Sequence, residues 1–181
     1  TRVVGYYPQR SPPTEGTSVL QREIDPAQAA DIDKFERVLA GYLAGEVDED
    51  VSRVFRLTNG IYGQRQGGHH QMLRVKIPYG GVTPEQLDLM AHLCEEYSRG
   101  WGHITTRQNI QFHFVKLHDA EPAMRLLADA GITTREACGN SVRNITACPY
   151  AGVAHDEIFD VTPYSEALTR FLLRHKHSSS L

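Results

Sequence analysis

Residues 72–132 alternate between two periodicities, and the order of that alternation restricts the folds open to the chain. Met72-Leu73-Arg74-Val75-Lys76-Ile77 has the two-residue period of a strand, with Leu73, Val75 and Ile77 on one face and Arg74 and Lys76 on the other. Pro78-Tyr79-Gly80-Gly81 ends it. Thr83-Pro84-Glu85 then opens a helix with a capping hydroxyl, a proline at the first position and an acid in the first turn. Leu87, Met90, Ala91, Cys94 and Tyr97 are its expected buried stripe, and Gly100 closes it. Two short strands follow, His103–Thr106 and Ile110–Val115, joined by a turn around Arg107-Gln108-Asn109. The second sets Ile110, Phe112 and Phe114 against Gln111, His113 and Val115. Asp119 is expected to cap a further helix whose inner side carries Met124, Leu126, Leu127 and Ala130. Gly131 ends that helix, and a strand is expected near Ile132.

This β-α-β-β-α-β order is the ferredoxin-like split β-α-β pattern, and the fold class is α+β. The flanks read differently. Residues 1–22 hold Pro8, Pro12, Pro13, Gly5 and Gly16 without periodicity and read as an extended arm. A helix is expected from Asp25-Pro26, with Ala29, Ile32, Phe35, Leu39 and Leu43 at helical spacing, followed by an acidic turn over Glu46–Asp50. After residue 136 the run Ala137-Cys138-Gly139-Asn140-Ser141-Val142-Arg143-Asn144-Ile145-Thr146-Ala147-Cys148-Pro149 is small, polar and turn-prone. Such a segment is expected to lie against another surface. A helix from about Pro163 to His175 carries Tyr164, Ala167, Leu168, Phe171 and Leu172 on one side. The expected division is an arm plus helix over 1–50, a ferredoxin-like half-domain over 51–135, and the start of a second α/β domain over 136–181.

Composition excludes several classes. With 40% hydrophobic and 23% charged residues among 181, the chain can bury a core and is not a disordered polyampholyte. No apolar run approaches the ~18 residues that span a bilayer. The first residues lack the pattern of a signal peptide. Three scattered cysteines, Cys94, Cys138 and Cys148, give no disulfide framework, so a reducing cytoplasm is expected.

The formal charge of −3 hides a segregation: residues 1–50 carry −5, residues 51–118 carry +4, and residues 119–181 carry −2. No Asp or Glu lies between Val51 and Pro84, between Tyr97 and His118, or between Ala137 and His155. These windows contain Arg65, Arg74, Lys76, Arg107, Lys116 and Arg143. They read either as a solvated basic face or as a pocket for an anion from which carboxylates are excluded. In a split β-α-β sheet both helices cover one face. That leaves Arg74, Lys76, Gln111 and His113 on the open one, with Arg107 in the adjoining turn. Guanidinium forks suit carboxylates and small oxyanions. No HExxH, CxxC or other ligand-spaced grouping marks a metal site, and no glycine loop marks a phosphate site. Nucleic-acid binding is disfavoured, because Phe112 and Phe114 are both expected under the helices instead of exposed as a stacking pair.

Four strings occur in order: Tyr62-Gly63-Gln64-Arg65-Gln66; Met72-Leu73-Arg74-Val75-Lys76-Ile77-Pro78 with Gly80-Gly81; Thr105-Thr106-Arg107-Gln108-Asn109-Ile110-Gln111-Phe112-His113; and Gly139-Asn140-Ser141-Val142-Arg143-Asn144-Ile145-Thr146-Ala147-Cys148-Pro149. Over roughly residues 50–175 the chain resembles the amino-terminal portion of the sirohaem-dependent nitrite/sulfite reductases. The resemblance implies six-electron reduction of sulfite to sulfide, or of nitrite to ammonia, at a sirohaem coupled to a 4Fe–4S cluster. It implies that Arg74 and Arg143 bind the oxyanion. Arg107, Gln111, His113 and Asn144 would contact the sirohaem or its carboxylates, with Arg65 and Lys76 as weaker candidates. The electron donor would be ferredoxin or a flavoprotein. The family's cluster cysteines, in C-x5-C and C-x3-C arrangement, have no counterpart among Cys94, Cys138 and Cys148. The chain is therefore expected to be a fragment that needs a carboxyl-terminal half or self-associates. The alternative is a free-standing module that binds an anionic tetrapyrrole or a partner without catalysis.

Overall fold

The computed structural model describes residues 24–66 and 69–175; the expected arm over 1–22 lies outside the described residues. Helix α1 (Pro26–Leu43) begins as its sequence dictates, with the Gln28 N–H donating to Asp25 Oδ1 at 2.9 Å. Ile32, Phe35 and Leu39 form its buried side. A second helix, α2 (Glu49–Thr58), follows at once, capped by Asp48. Periodicity does not announce it, because its buried positions are polar. Ser52 and Arg56 are buried, whereas Val51 and Val54 are exposed. Arg56 is held there by Gln71 Oε1 at 3.1 Å and Glu49 Oε1 at 2.7 Å.

The sheet contains β1 (Ile61–Gly63), β2 (His70–Val75), β3 (Gly102–Ile104) and β4 (Ile110–Lys116) in the order β1-β2-β4-β3, each neighbouring pair antiparallel. β2 and β3 are therefore parallel with β4 between them, and α3 (Pro84–Tyr97) connects them, which is the expected split β-α-β. The strand expected near Ile132 is reduced to one antiparallel bridge, Lys76 to Thr133. The edge beside β2 belongs to β1 instead. Gly60 makes this possible. At φ +78° it turns α2 into β1, and its carbonyl accepts from the Arg74 N–H at 2.9 Å. A Cβ at that position would lie 2.4 Å from Thr134 O and 2.9 Å from Arg74 O, so no side chain fits.

The core sits between this sheet and α1, α3 and α4 (Ala120–Asp129), with Ile61, Leu73, Val75, Phe112 and Val115 from the strands. Ile32, Phe35, Met90, Leu93 and Leu127 complete it from the helices. Several expectations are corrected here. The buried stripe of α3 is Met90 and Leu93; Leu87 and Ala91 are exposed. Asp119 makes no side-chain cap and instead closes a short 3-10 turn, Leu117–Asp119, ahead of α4. The helix expected from Pro163 to His175 is α5 (Thr162–Leu172), and Tyr164, Leu168 and Phe171 are exposed on it.

The main correction concerns β4. The register passes from Gln71 opposite Val115 to Leu73 opposite Phe112, so His113 and Phe114 together face Met72 in a β-bulge. Phe114, at φ +63°, absorbs the extra residue. Val115 thereby rejoins Phe112 in the core, and Phe114 leaves it for the guanidinium of Arg99, 3.5 Å from its ring centroid. Phe114 is thus not under the helices, as the alternation alone required. No helix among the described residues is long and apolar enough to cross a membrane.

Candidate anion-binding site

The open side of β2 and β4 receives the small, polar segment 136–148, and strand and turn side chains hold it by its backbone. Arg74 Nη1 donates to Ala137 O at 3.1 Å and Lys76 Nζ to Val142 O at 2.9 Å. In the turn between β3 and β4, Asn109 accepts from the Ile77 N–H at 2.9 Å and donates to Arg143 O at 3.3 Å. Gln108 makes a two-point contact with Ala147, 2.8 Å to its carbonyl and 3.1 Å from its N–H. The Tyr79 N–H donates to Ile145 O at 2.8 Å. Asn144 reaches back, its Nδ2 donating to Ile77 O at 2.6 Å and Arg107 O at 2.8 Å. A segment without secondary structure of its own thus has the carbonyls of Ala137, Val142, Arg143, Ile145 and Ala147 satisfied by the strands and turns beneath it.

Three guanidinium groups meet in this arrangement. Arg143 folds over its own segment, with Nε and Nη2 each 3.2 Å from Gly139 O. Arg74 also donates from Nε to the Gln111 amide oxygen at 2.8 Å and from Nη2 to the same atom, in the amide orientation that satisfies both side chains. Burial lowers the pKa of Arg74; the neighbouring Cys138 sulfur opposes this, and the charges of Arg143 and Arg107 add to the lowering. The same three guanidinium groups act on the buried Cys138 thiol, opposing the rise that burial imposes. Among the described residues none of the three arginines has a carboxylate partner, whereas Arg56, Arg125, Arg135, Arg170 and Arg174 all do. Glu136, the acid at the head of the segment, is turned away. Its carboxylate accepts from the Arg174 N–H at 3.1 and 3.3 Å. Its charge partly offsets the burial that lowers Lys76 to about 8.

Beside the arginines stands a stack of rings. His113 lies between Trp101, with centroids 5.3 Å apart, and His103, 5.8 Å away. Burial, His103 and Arg74 all lower its pKa. The structure therefore brings together Arg74, Arg107, Gln111, Asn144 and Arg143, with His113 at the margin. Lys76 is 6% exposed and its ammonium is engaged with Val142. Arg65 is exposed on the turn after β1, and among the described residues no hydrogen bond or ion pair fixes it. The sequence reading missed Gln108, Asn109 and Gln64 as site residues. Its only signal for them was membership in the ordered strings, since turn chemistry alone reads Gln108-Asn109 as a loop.

The donor set, uncompensated guanidinium groups with neutral amide and imidazole donors around them, fits the several carboxylates of a sirohaem and a small oxyanion. Among the described residues no three His, Cys, Asp or Glu side chains converge as a metal site.

Comparison with known proteins identifies the family and the fold. Residues 62–130 match the nitrite/sulfite reductase ferredoxin-like half domain, and residues 138–181 match the nitrite and sulphite reductase 4Fe-4S domain. The assimilatory ferredoxin-dependent nitrite reductase of Haloferax mediterranei is 34% identical over 115 residues, covering 58% of this chain and 20% of that protein. A sulfite reductase [ferredoxin] of Mycobacterium tuberculosis (strain H37Rv) is 29% identical over 127 residues, covering 61% and 23%. The solved structure of Mycobacterium tuberculosis NirA protein superposes with a TM-score of 0.72 at 26% identity, over 82% of this chain and 31% of that one. The chain thus spans about a fifth to a quarter of the length of these curated relatives. Two successive nitrite/sulfite reductase domain matches, together spanning more than half of the chain, and a shared fold mean that this chain belongs to the nitrite/sulfite reductase family and carries an amino-terminal portion of it.

Proposed function

We propose that this chain supplies the oxyanion- and sirohaem-facing part of a reductase that converts sulfite to sulfide or nitrite to ammonia. One observation carries the reading: Arg74, Arg107 and Arg143 share a surface with no carboxylate partner among the described residues, and burial already disfavours the charge of Arg74. An anion placed among them relieves that repulsion, and the alternative of a merely solvated basic face does not explain why a whole segment is tethered over it. In this reading Arg74 and Arg143 bind the oxyanion. Their charge offsets the negative charge that grows as it is reduced, and they support proton delivery to its departing oxygens. Arg107, Gln111, His113 and Asn144 orient the tetrapyrrole through its carboxylates. Lys76 contributes by holding Val142, and so the Arg143 segment, in place, and Arg65 offers an outlying positive charge. When bound, sirohaem supplies the redox-active iron. The relatives named for ferredoxin favour ferredoxin as the electron donor. The exposed apolar side of α5, Tyr164, Leu168 and Phe171, is where the remainder of such a reductase packs.

The test is Arg143→Ala in the reductase that carries this sequence. The tetrapyrrole absorbance is expected to persist, while oxyanion affinity and turnover fall about a hundredfold, the scale of one charged donor at a reacting group. Unchanged kinetics would remove Arg143 from the site.

A further inference from the structure

The bulge in β4 has a chemical consequence for His113. At the bulge the Phe114 N–H donates to Gln64 Oε1 at 2.6 Å. A backbone N–H can only donate, so the oxygen of the Gln64 amide must face Phe114 and its NH2 must face the other way. That NH2 lies 3.2 Å from Nδ1 of His113. An amide NH2 also can only donate, so Nδ1 must present its lone pair. The single proton of the neutral ring is then on Nε2. A second proton, on Nδ1, would point at the amide hydrogens. The ring cannot easily escape by turning, since it is stacked between Trp101 and His103 with interplanar angles of 24° and 22°. On the far side of the bulge, Ser98 Oγ donates to His113 O at 2.5 Å and fixes its backbone.

We propose that Gln64 is a positioning residue that holds His113 as a neutral imidazole with its proton on Nε2, giving the anion site a fixed neutral donor beside its guanidinium groups. The assignment of this donor to the sirohaem carboxylates rests on the function proposed above; the tautomer does not. The charged and titratable groups facing the ring are Arg74 from β2 and His103 from β3, both opposing a positive imidazolium, while Trp101 and Gln64 are neutral. His113 is thereby a hydrogen-bond donor and not a proton store, and proton delivery falls to other groups.

The experiment is ring-nitrogen NMR of histidine-labelled protein, which distinguishes a protonated from a bare imidazole nitrogen. Wild-type His113 is expected to show bare Nδ1 and protonated Nε2 around neutral pH. Gln64→Glu keeps an acceptor for the Phe114 N–H but turns an acceptor toward Nδ1. It should move the proton to Nδ1 and raise the His113 pKa by about one unit or more. Gln64→Leu, which offers neither group, should leave a tautomer mixture and covers the case in which the glutamate variant does not fold. A wild-type ring protonated on Nδ1, or a His113 titration indifferent to Gln64→Glu, overturns the proposal. Sirohaem uptake is scored separately by absorbance in the complete reductase that carries this sequence. The expected tautomer without cofactor uptake would overturn the proposed function and leave the role of Gln64 standing.

Discussion

On the helix-covered side of β2 and β4, Leu73, Val75, Phe112 and Val115 are each no more than 1% exposed and belong to one apolar core cluster. On the other side the intervening residues are Arg74, Gln111 and His113, and above them Arg143 and Arg107 add two more guanidinium groups. The same strands thus build a face that lowers the free energy of folding and a face that raises it. Like charges gathered at a partly buried surface, without carboxylates among the described residues, do not stabilise a fold. Such strain persists where the surrounding structure enforces it. Here the enforcing elements are the tethers from Lys76, Asn109, Gln108 and Asn144.

Substitutions on the two faces should therefore differ in kind. Phe112→Ala is expected to cost about 3–5 kcal/mol in chemical denaturation, the usual penalty for emptying an aromatic site in a core. A loss under about 1 kcal/mol would mean that the helix-covered face is not where the stability resides. Lys76 is the next largest effect and appears as a pH dependence. Its folded pKa, about 8, is below the ordinary 10.5, so the unfolded chain binds more protons between those values. The burial penalty is present in full below about pH 8 and is relieved as the pH rises toward 10.5. The stability difference between wild type and Lys76→Met should thus shift in favour of wild type by about 3 kcal/mol across that window. Urea denaturation of both proteins at several pH values checks it, and a flat difference would mean that the ammonium is solvated. Smallest is Arg74→Leu, for which stability should stay within about 1 kcal/mol of wild type, because a leucine removes repulsion as well as hydrogen bonds. A loss as large as that of Phe112→Ala would erase the distinction between the faces.

Much of the fold was legible because it is written in the two short periods. β2, α3, β3, β4 and α4 are all present where alternation or helical spacing put them, and Asp25 and Thr83 mark helix starts that the structure realises. The misses share a cause. α2 turns Ser52 and Arg56 inward, so its buried side looks solvated in the sequence. β1 is three residues long, too short to show a period. The strand near Ile132 lost its edge to β1 because Gly60 lets that hairpin fold tightly against Thr134. Alternation alone puts Phe114 in the core, because a bulge is a relation between two strands and leaves no mark in one of them.

For the site, the alternation around Arg74, Gln111 and His113 and the acid-free windows already marked one face as unusual, and the four ordered strings identified the family. What the amino-acid sequence determined by itself was chemistry: which side chains exist, their spacing along each strand, and the exclusion of carboxylates from three stretches. Only the tertiary structure decided which of these groups meet. It laid residues 136–148 across the open face, bringing Arg143 to Arg74 over 69 positions of sequence. It also engaged Lys76 with a carbonyl and put Gln64 against His113. Those pairings depend on sheet order, on one bulge and on one glycine turn. Each is set by long-range packing, for which local periodicity carries no information.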